Sequence, residues 1–277
     1  MMKRIFRLKL TLILIILFTA GSAVYGQKTQ IKRYMIVRSS PSYTLQFAID
    51  YNQSLLELSG AYNDDYQSET VYDGESFGAD KGYGLSALSK INLNERGSLR
   101  FTQSLTYNRI LSYTFGDKTT VADNGKANYN CFTAGLGMEY NFTPAHKFKI
   151  FMGAELNASM INGDVSVWFE NRGQPDPPYT EYYKVTNSFR LGFGLMLGSE
   201  FVLSDKFGLN IGARILNVNA LLKEAKGTNA DKEFKLRDDS DANLNFAGNN
   251  RKSFAFYSIM AGVNFFFGVK EKRYKLN

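Results

Sequence analysis

The chain has 277 residues, and its mean hydropathy of −0.26 excludes an ordinary helical membrane protein. It carries 33 Lys+Arg against 26 Asp+Glu but one His and one Cys, which leaves no His/Cys zinc cluster and no intramolecular disulfide. Twenty-two Phe, 17 Tyr and 24 Gly beside 5 Pro and one Trp favour β-structure with close backbone contacts.

Residues 1–26 read as a secretory signal peptide. Lys3, Arg4, Arg7 and Lys9 form a basic start, and Leu10 to Ala20 is an apolar run shorter than the roughly 20 residues of a spanning helix. Val24-Tyr25-Gly26 places small side chains at −3 and −1 of a cleavage site between Gly26 and Gln27. No Cys follows the run, so lipoprotein processing is not expected. Removing four of the 33 basic residues leaves 29 against 26 acidic ones, a net +3, and a nucleic-acid partner loses its support. Nothing divides the remainder: residues 27–42 are expected to form an N-terminal periplasmic segment, 43–270 one domain, and 271–277 a C-terminal tail.

From Tyr43 onward apolar residues recur with period two, the mark of half-buried strands. The first segment sets Tyr43, Leu45, Phe47, Ile49 and Tyr51 against Thr44, Gln46, Asp50 and Asn52. Tyr83 to Leu93 follows, then Leu99 to Phe115, with Leu99, Phe101, Leu105 and Tyr107 opposite Arg100, Thr102, Ser104 and Asn108. The fourth (Phe132 to Phe142) and fifth (Phe148 to Met160) keep the same division. So do the sixth (Phe189 to Leu203), seventh (Phe207 to Ile215) and eighth (Tyr257 to Val269). All five prolines lie between segments, as paired strands require. Short connections at 94–97, 143–147 and 204–206 alternate with long ones at 59–81, 116–126, 162–184 and 223–252.

These features predict an all-β fold: an eight-stranded antiparallel up-and-down barrel with its apolar face toward lipid. A sheet spans a bilayer only if it closes, because every backbone polar group must then be paired internally. The segments exceed the roughly 9–11 residues a tilted strand needs to cross, and aromatics gather at their ends. Short periplasmic turns and longer extracellular loops complete the pattern of an outer-membrane barrel. Gln103 stands on the outward face at bilayer depth, where nothing in the pattern explains it; Arg109 lies near the end that projects.

The strand–turn–strand Glu139-Tyr140-Asn141-Phe142-Thr143-Pro144 with Phe148 to Leu156, and the last strand Gly262-Val263-Asn264-Phe265-Phe266-Phe267, carry a resemblance. The chain resembles the small outer-membrane β-barrel family of Gram-negative bacteria, the OmpA-transmembrane-like or outer membrane protein beta-barrel domain. That resemblance implies a location in the cell outer membrane, contact with its lipid and lipopolysaccharide, and passage through the export and barrel-assembly machineries. Gly262, Phe265 and Phe267 are similar to the family's C-terminal assembly signal, although Met260 takes the usual polar place and ten residues follow Phe267.

No catalytic or cofactor group emerges. His146 lies in a short turn, away from the outer leaflet where a lipid-cleaving His would work. Gly192, Gly194 and Gly198 have the wrong spacing for a nucleotide loop and fit a thinned lumen wall. Asp239, Asp241, Asn243 and Asn245 alternate like calcium ligands, but Leu244 and Asn250 replace the turn Gly and the bidentate Glu. Asp64, Asp65, Glu69, Asp73, Glu75 and Asp80 make the first long loop acidic. These are read as solvated loop charges, and the alternative is weak divalent bridging to lipopolysaccharide phosphates or a partner. The inward charges are the most informative set: Asp50, Lys90, Arg100, Glu139, Lys149, Glu155, Arg190, Glu200 and Arg214. In an eight-stranded lumen just wide enough for side chains, such charges should pair. The expected function is a non-enzymatic scaffold with a filled lumen that displays its loops to an extracellular ligand. The alternative is a narrow channel or passage for small solutes or hydrophobic compounds.

Overall fold

The computed structural model describes residues 34–38, 40–59, 77–112, 122–169, 179–224, 228–230, 232–236, 238–239 and 252–275. They fall into two units. In one, β1 (Tyr34–Arg38) pairs with β12 (Glu271–Lys275), two segments in which the periodicity had marked no strand.

The other unit holds the domain. Its strands are β2 (Tyr43–Leu55), β3 (Ala79–Asn92), β4 (Leu99–Ser112), β5 (Ala122–Asn141), β6 (Phe148–Phe169), β7 (Tyr179–Val202), β8 (Phe207–Leu221), β9 (Thr228–Ala230), β10 (Glu233–Lys235) and β11 (Ala255–Phe267). Eight of these pair antiparallel in the closed order β2-β3-β4-β5-β6-β7-β8-β11, and β11 returns to β2 from Ala255↔Leu55 to Phe267↔Tyr43. The up-and-down barrel read from the sequence is therefore the fold. Beyond the end of β8, β10 pairs in parallel with β7 (Glu233↔Lys184), and β9 pairs with β10.

The turns follow from their residues. The Asn94 carboxamide oxygen accepts from the Ser98 amide at 2.9 Å, and Gly97 takes φ +69°. Thr143 Oγ1 accepts from the Ile150 amide at 2.9 Å, and Ser204 Oγ from Phe207 at 3.1 Å. Gly268, at φ +72°, ends β11 two residues before the expected Val269.

Inside and outside are set as expected across the middle of the barrel. Leu156, Leu105 and Ile49 are 74%, 67% and 67% exposed, while Lys90, Arg100, Glu139 and Glu200 are buried. Toward the long-loop end the sign reverses. Along β6 the outward row ends at Met160 and continues as Asn162 and Asp164, while the inward row changes from Asn157 and Ser159 to Ile161 and Val165. β5 does the same, with Asn130 and Asn128 outward and Cys131, Tyr129 and Ala127 inward. Ile110, Leu216 and Phe256 mark the change on β4, β8 and β11. Above it an apolar core forms from these residues with Leu58, Phe77, Val185, Val218, Leu236 and Phe254.

Two expectations are corrected here. Most of the expected loop 162–184 is strand, since β6 runs to Phe169 and β7 starts at Tyr179. Its alternation persists but is inverted, because a sheet leaving lipid turns its apolar face from outside to inside. Asp80 is a buried residue of β3 rather than a solvated loop charge, and its side chain accepts from Gln53 Nε2 at 2.9 Å. The other first-loop acids, Asp241 to Asn250, Tyr113 and Phe115 lie outside the described residues.

Candidate functional site

Successive inward positions build the lumen layer by layer from the short-turn end. In the first layer Lys90 Nζ lies 2.9 Å from Glu139 and 2.8 Å from Glu200. Arg100 Nη1 lies 3.0 and 2.7 Å from the same two carboxylates. Four strands thus supply one closed square of charge. Strong pairing is required here, since one buried ion without its partner costs several kcal/mol.

The next inward positions are apolar: Ala48, Leu88, Phe151, Met196 and Met260. Gly198 leaves room for Phe151, whose Cζ would lie 2.6 Å from a Cβ there, and Lys90 Nζ rests 4.1 Å from the same ring's centre. Deeper lies a second charged group. Arg214 reaches Asp50 at 3.5 Å and Glu155 at 3.8 Å, both long for a fully buried guanidinium. Ser86 donates to Asp50 and Ser104 to Glu155. Gly135 and Gly194 make space for the Glu155 carboxylate, whose oxygens would lie 3.0 and 3.1 Å from their added Cβ atoms. The reading of Gly194 and Gly198 as wall-thinning positions is thus given a physical content. Above this run hydroxyls and amides, with Asn52 donating to Asn108 at 2.9 Å and Ser258 to Asn52 at 2.6 Å.

The third charged group closes the loop end. Arg190 donates to Asp238 twice, from Nε at 2.8 Å and Nη2 at 2.9 Å, and Nη2 also reaches the Leu236 carbonyl at 2.7 Å. Asn219 Nδ2 donates to the same carboxylate at 2.8 Å, and the Glu224 amide donates to it at 2.9 Å. Ser188 Oγ accepts from the Leu236 amide. A segment of the last long loop is therefore tied to the barrel wall at a fully buried fork-to-fork pair.

All nine charges expected in the lumen are buried, but eight of them fall into three groups rather than one network, and Lys149 joins none of the three. Lys90, Arg100, Glu139 and Glu200 come together, as do Asp50, Glu155 and Arg214. Arg190 stands apart with Asp238, and among the described residues no carboxylate lies within ion-pair distance of Lys149. Asp238 escaped the sequence reading because it arrives from a loop that shares no strand period. One signal could have found it: five cations against four anions in the expected set call for one more acid. Gly262 packs against Phe47 and Ala48 of β2, while Phe265 and Phe267 face outward against Phe47, Phe207 and Tyr43. Gly26 and Gln27 lie outside the described residues. His146 is exposed in its turn.

A closed sheet that is apolar outside and ionic within is built to stand in lipid, where no unpaired strand edge is tolerated. Tilted by about 40°, the outward apolar row Phe148 to Met160 rises roughly 30 Å, enough for the apolar band of such a protein. With short turns at one end and long connections at the other, the chain has the architecture of an eight-stranded outer-membrane β-barrel.

No protein-family model and no curated protein matches the chain. Among solved structures it is similar to Neisserial surface protein A (16% identity, 82% of this chain and 99% of that one covered, TM-score 0.40). It is also similar to outer membrane protein OprG from Pseudomonas aeruginosa (10% identity, 83% and 98% covered, TM-score 0.44). A third is Ail, the attachment invasion locus protein of Yersinia pestis (10% identity, 83% and 100% covered, TM-score 0.35). At these values the likeness transfers no ligand or activity.

Proposed function

We propose that this barrel is a non-enzymatic scaffold with a closed lumen that carries an ordered cap and its loops to the outside of the cell. The observation that carries the reading is the Arg190–Asp238 pair, which ties a segment of the last long loop to the barrel wall above a lumen already occupied by two other charged groups. A conducting pore needs a continuous polar path, and the apolar core above Arg214 interrupts one. The long β5, β6 and β7, whose outward residues turn polar past Met160, give the cap a rigid base suited to contact with lipopolysaccharide or an extracellular ligand. Residues 1–26 act as the export signal in this reading, and Gly262, Phe265 and Phe267 as the assembly signal. Loop acids, including any that bridge divalent ions, add to the display surface.

The test is conductance of the refolded chain in a planar bilayer. Protein that inserts and resists protease yet stays electrically silent supports the scaffold; steady ohmic steps overturn it. A second reading, a narrow passage, draws on one feature. Arg214 Nε and Nη1 have no hydrogen-bond partner although the residue is fully buried, a place where water would be held. If steps appear and vanish in Arg214→Met, the passage reading replaces the scaffold.

A further inference from the structure

The outward row of β4 runs Leu99, Phe101, Gln103, Leu105 and Tyr107, so a carboxamide stands among apolar and aromatic side chains. Gln103 is exposed, and among the described residues its side chain takes part in no hydrogen bond. It lies four residues from either end of that row, roughly 13 Å of strand each way, which puts lipid headgroups beyond its reach. A carboxamide has two N–H donors and a carbonyl acceptor, and hydrocarbon satisfies none of them.

The neighbouring strands present small side chains around it. Gln103 faces Ser89 across the β3–β4 ladder and Leu136 across the β4–β5 ladder. Leu105, the next outward residue, faces Ala87 and Ala134 in the same two ladders. Ala87, Ser89 and Ala134 therefore flank the carboxamide, while Leu105 and Leu136 beside it are 67% and 58% exposed. Ser89 can return its hydroxyl to a carbonyl of its own strand, but the three polar sites of Gln103 exceed what such a bond absorbs. Small residues beside a polar one are what membrane helices use where they approach one another closely, and the same physics applies to two walls.

We propose that a second copy of this chain docks on the β3–β4 wall, with Gln103 of the two copies paired across a two-fold axis. A carboxamide complements itself: each N–H donates to the other copy's carbonyl, and a two-fold contact brings like residue to like. A partner of different sequence needs a polar group of its own at the same depth, whereas a second copy brings one by construction. The inference rests on the reading of this wall as lipid-embedded and is independent of whether the lumen conducts.

The experiment is energy transfer between donor- and acceptor-labelled full chains refolded into phosphatidylcholine vesicles at falling protein-to-lipid ratio. The label sits on Glu95→Cys, in an exposed short turn, with Cys131→Ser removing the native thiol. Chains with Gln103 should transfer energy above the level of randomly placed monomers. Gln103→Leu should fall to that level, and Gln103→Asn should keep part of the excess. Gln103→Leu only makes the wall more apolar, so it should fold, and its heat-modifiable gel mobility checks this. Oxidative cross-linking gives a second readout: Ser89→Cys should yield a disulfide-linked dimer, and Ala213→Cys, on β8 across the barrel, should not. Equal transfer in folded Gln103→Leu, or equal cross-linking at both positions, overturns the proposal. Protein that inserts but never exceeds the random level overturns the dimer alone; protein that does not insert overturns the lipid-facing wall as well.

Discussion

Arg190 shows how much a single residue can settle. Its guanidinium holds the Asp238 carboxylate and the Leu236 carbonyl at once, and it is fully buried. Arg190→Ala should leave Asp238 as a buried charge with amide donors alone, at a cost of about 3–5 kcal/mol. In a urea titration of the folded barrel that loss appears as a lower midpoint, and protease should cut the last long loop, 223–252, sooner than in wild type. An unchanged midpoint and cleavage rate would show that the clamp does not hold the loop. Gly194 sets a second, steric limit. A Cβ there would meet Leu216 Cδ2 at 2.7 Å and Glu155 Oε1 at 3.1 Å. Gly194→Val, with two further methyls, should cut the folded fraction on a heat-modifiability gel. Gly192 has a neighbouring carbonyl in the same position and behaves alike, whereas Ala134→Val, on the lipid face, should fold normally.

At the scale of elements, β5 to β7 each pass through two surroundings and change pattern on the way. Val165 and Val185 belong to the cap core, whereas Leu156 and Leu195 face lipid. Val165→Asp should therefore loosen the cap without unfolding the barrel: protease trims the loop end while the gel-shifted band persists. Leu156→Asp places a charge at bilayer depth instead and should reduce insertion itself, at a cost of a few kcal/mol. If both variants behave identically, the division into lipid-embedded wall and water-exposed cap fails. The same division explains what could be read from the sequence. Eight strands, their turns and the outward face of Phe47, Leu136 or Phe193 were legible because the lipid-facing rows are apolar apart from single breaks such as Gln103. The upper halves of β6 and β7 were not, since Asn162-Gly163-Asp164-Val165 keeps the period but inverts its sign and so looks like a loop. Asp238 and Leu236 were invisible for a different reason: residues delivered by a loop obey no period, and only their three-dimensional partners reveal them.

Among its described residues the barrel unit holds two cores, one rich in ion pairs within the lipid-facing wall and the other apolar toward the long-loop end. In the first, charges balance as a set. Lys90, Arg100, Glu139 and Glu200 sum to zero and contact one another, so their removal has a different cost singly and together. Glu200→Leu alone strips Lys90 and Arg100 of a contact at 2.8 and 2.7 Å and leaves the square with a net charge of +1. Breaking a buried pair in this way is expected to cost about 3–5 kcal/mol. Replacing all four by apolar residues (Lys90→Met, Arg100→Met, Glu139→Leu and Glu200→Leu) removes the desolvation cost together with the attraction. Such exchanges are often neutral, or stabilising by about 1–4 kcal/mol. The quadruple variant should therefore unfold in urea at or above the wild-type midpoint, while Glu200→Leu unfolds well below it. Equal losses for both would mean that the square contributes to stability outright, beyond mutual compensation. A quadruple variant that folds and stays silent in a bilayer would locate closure in the cap, at Arg190 and Asp238, rather than in the ionic core.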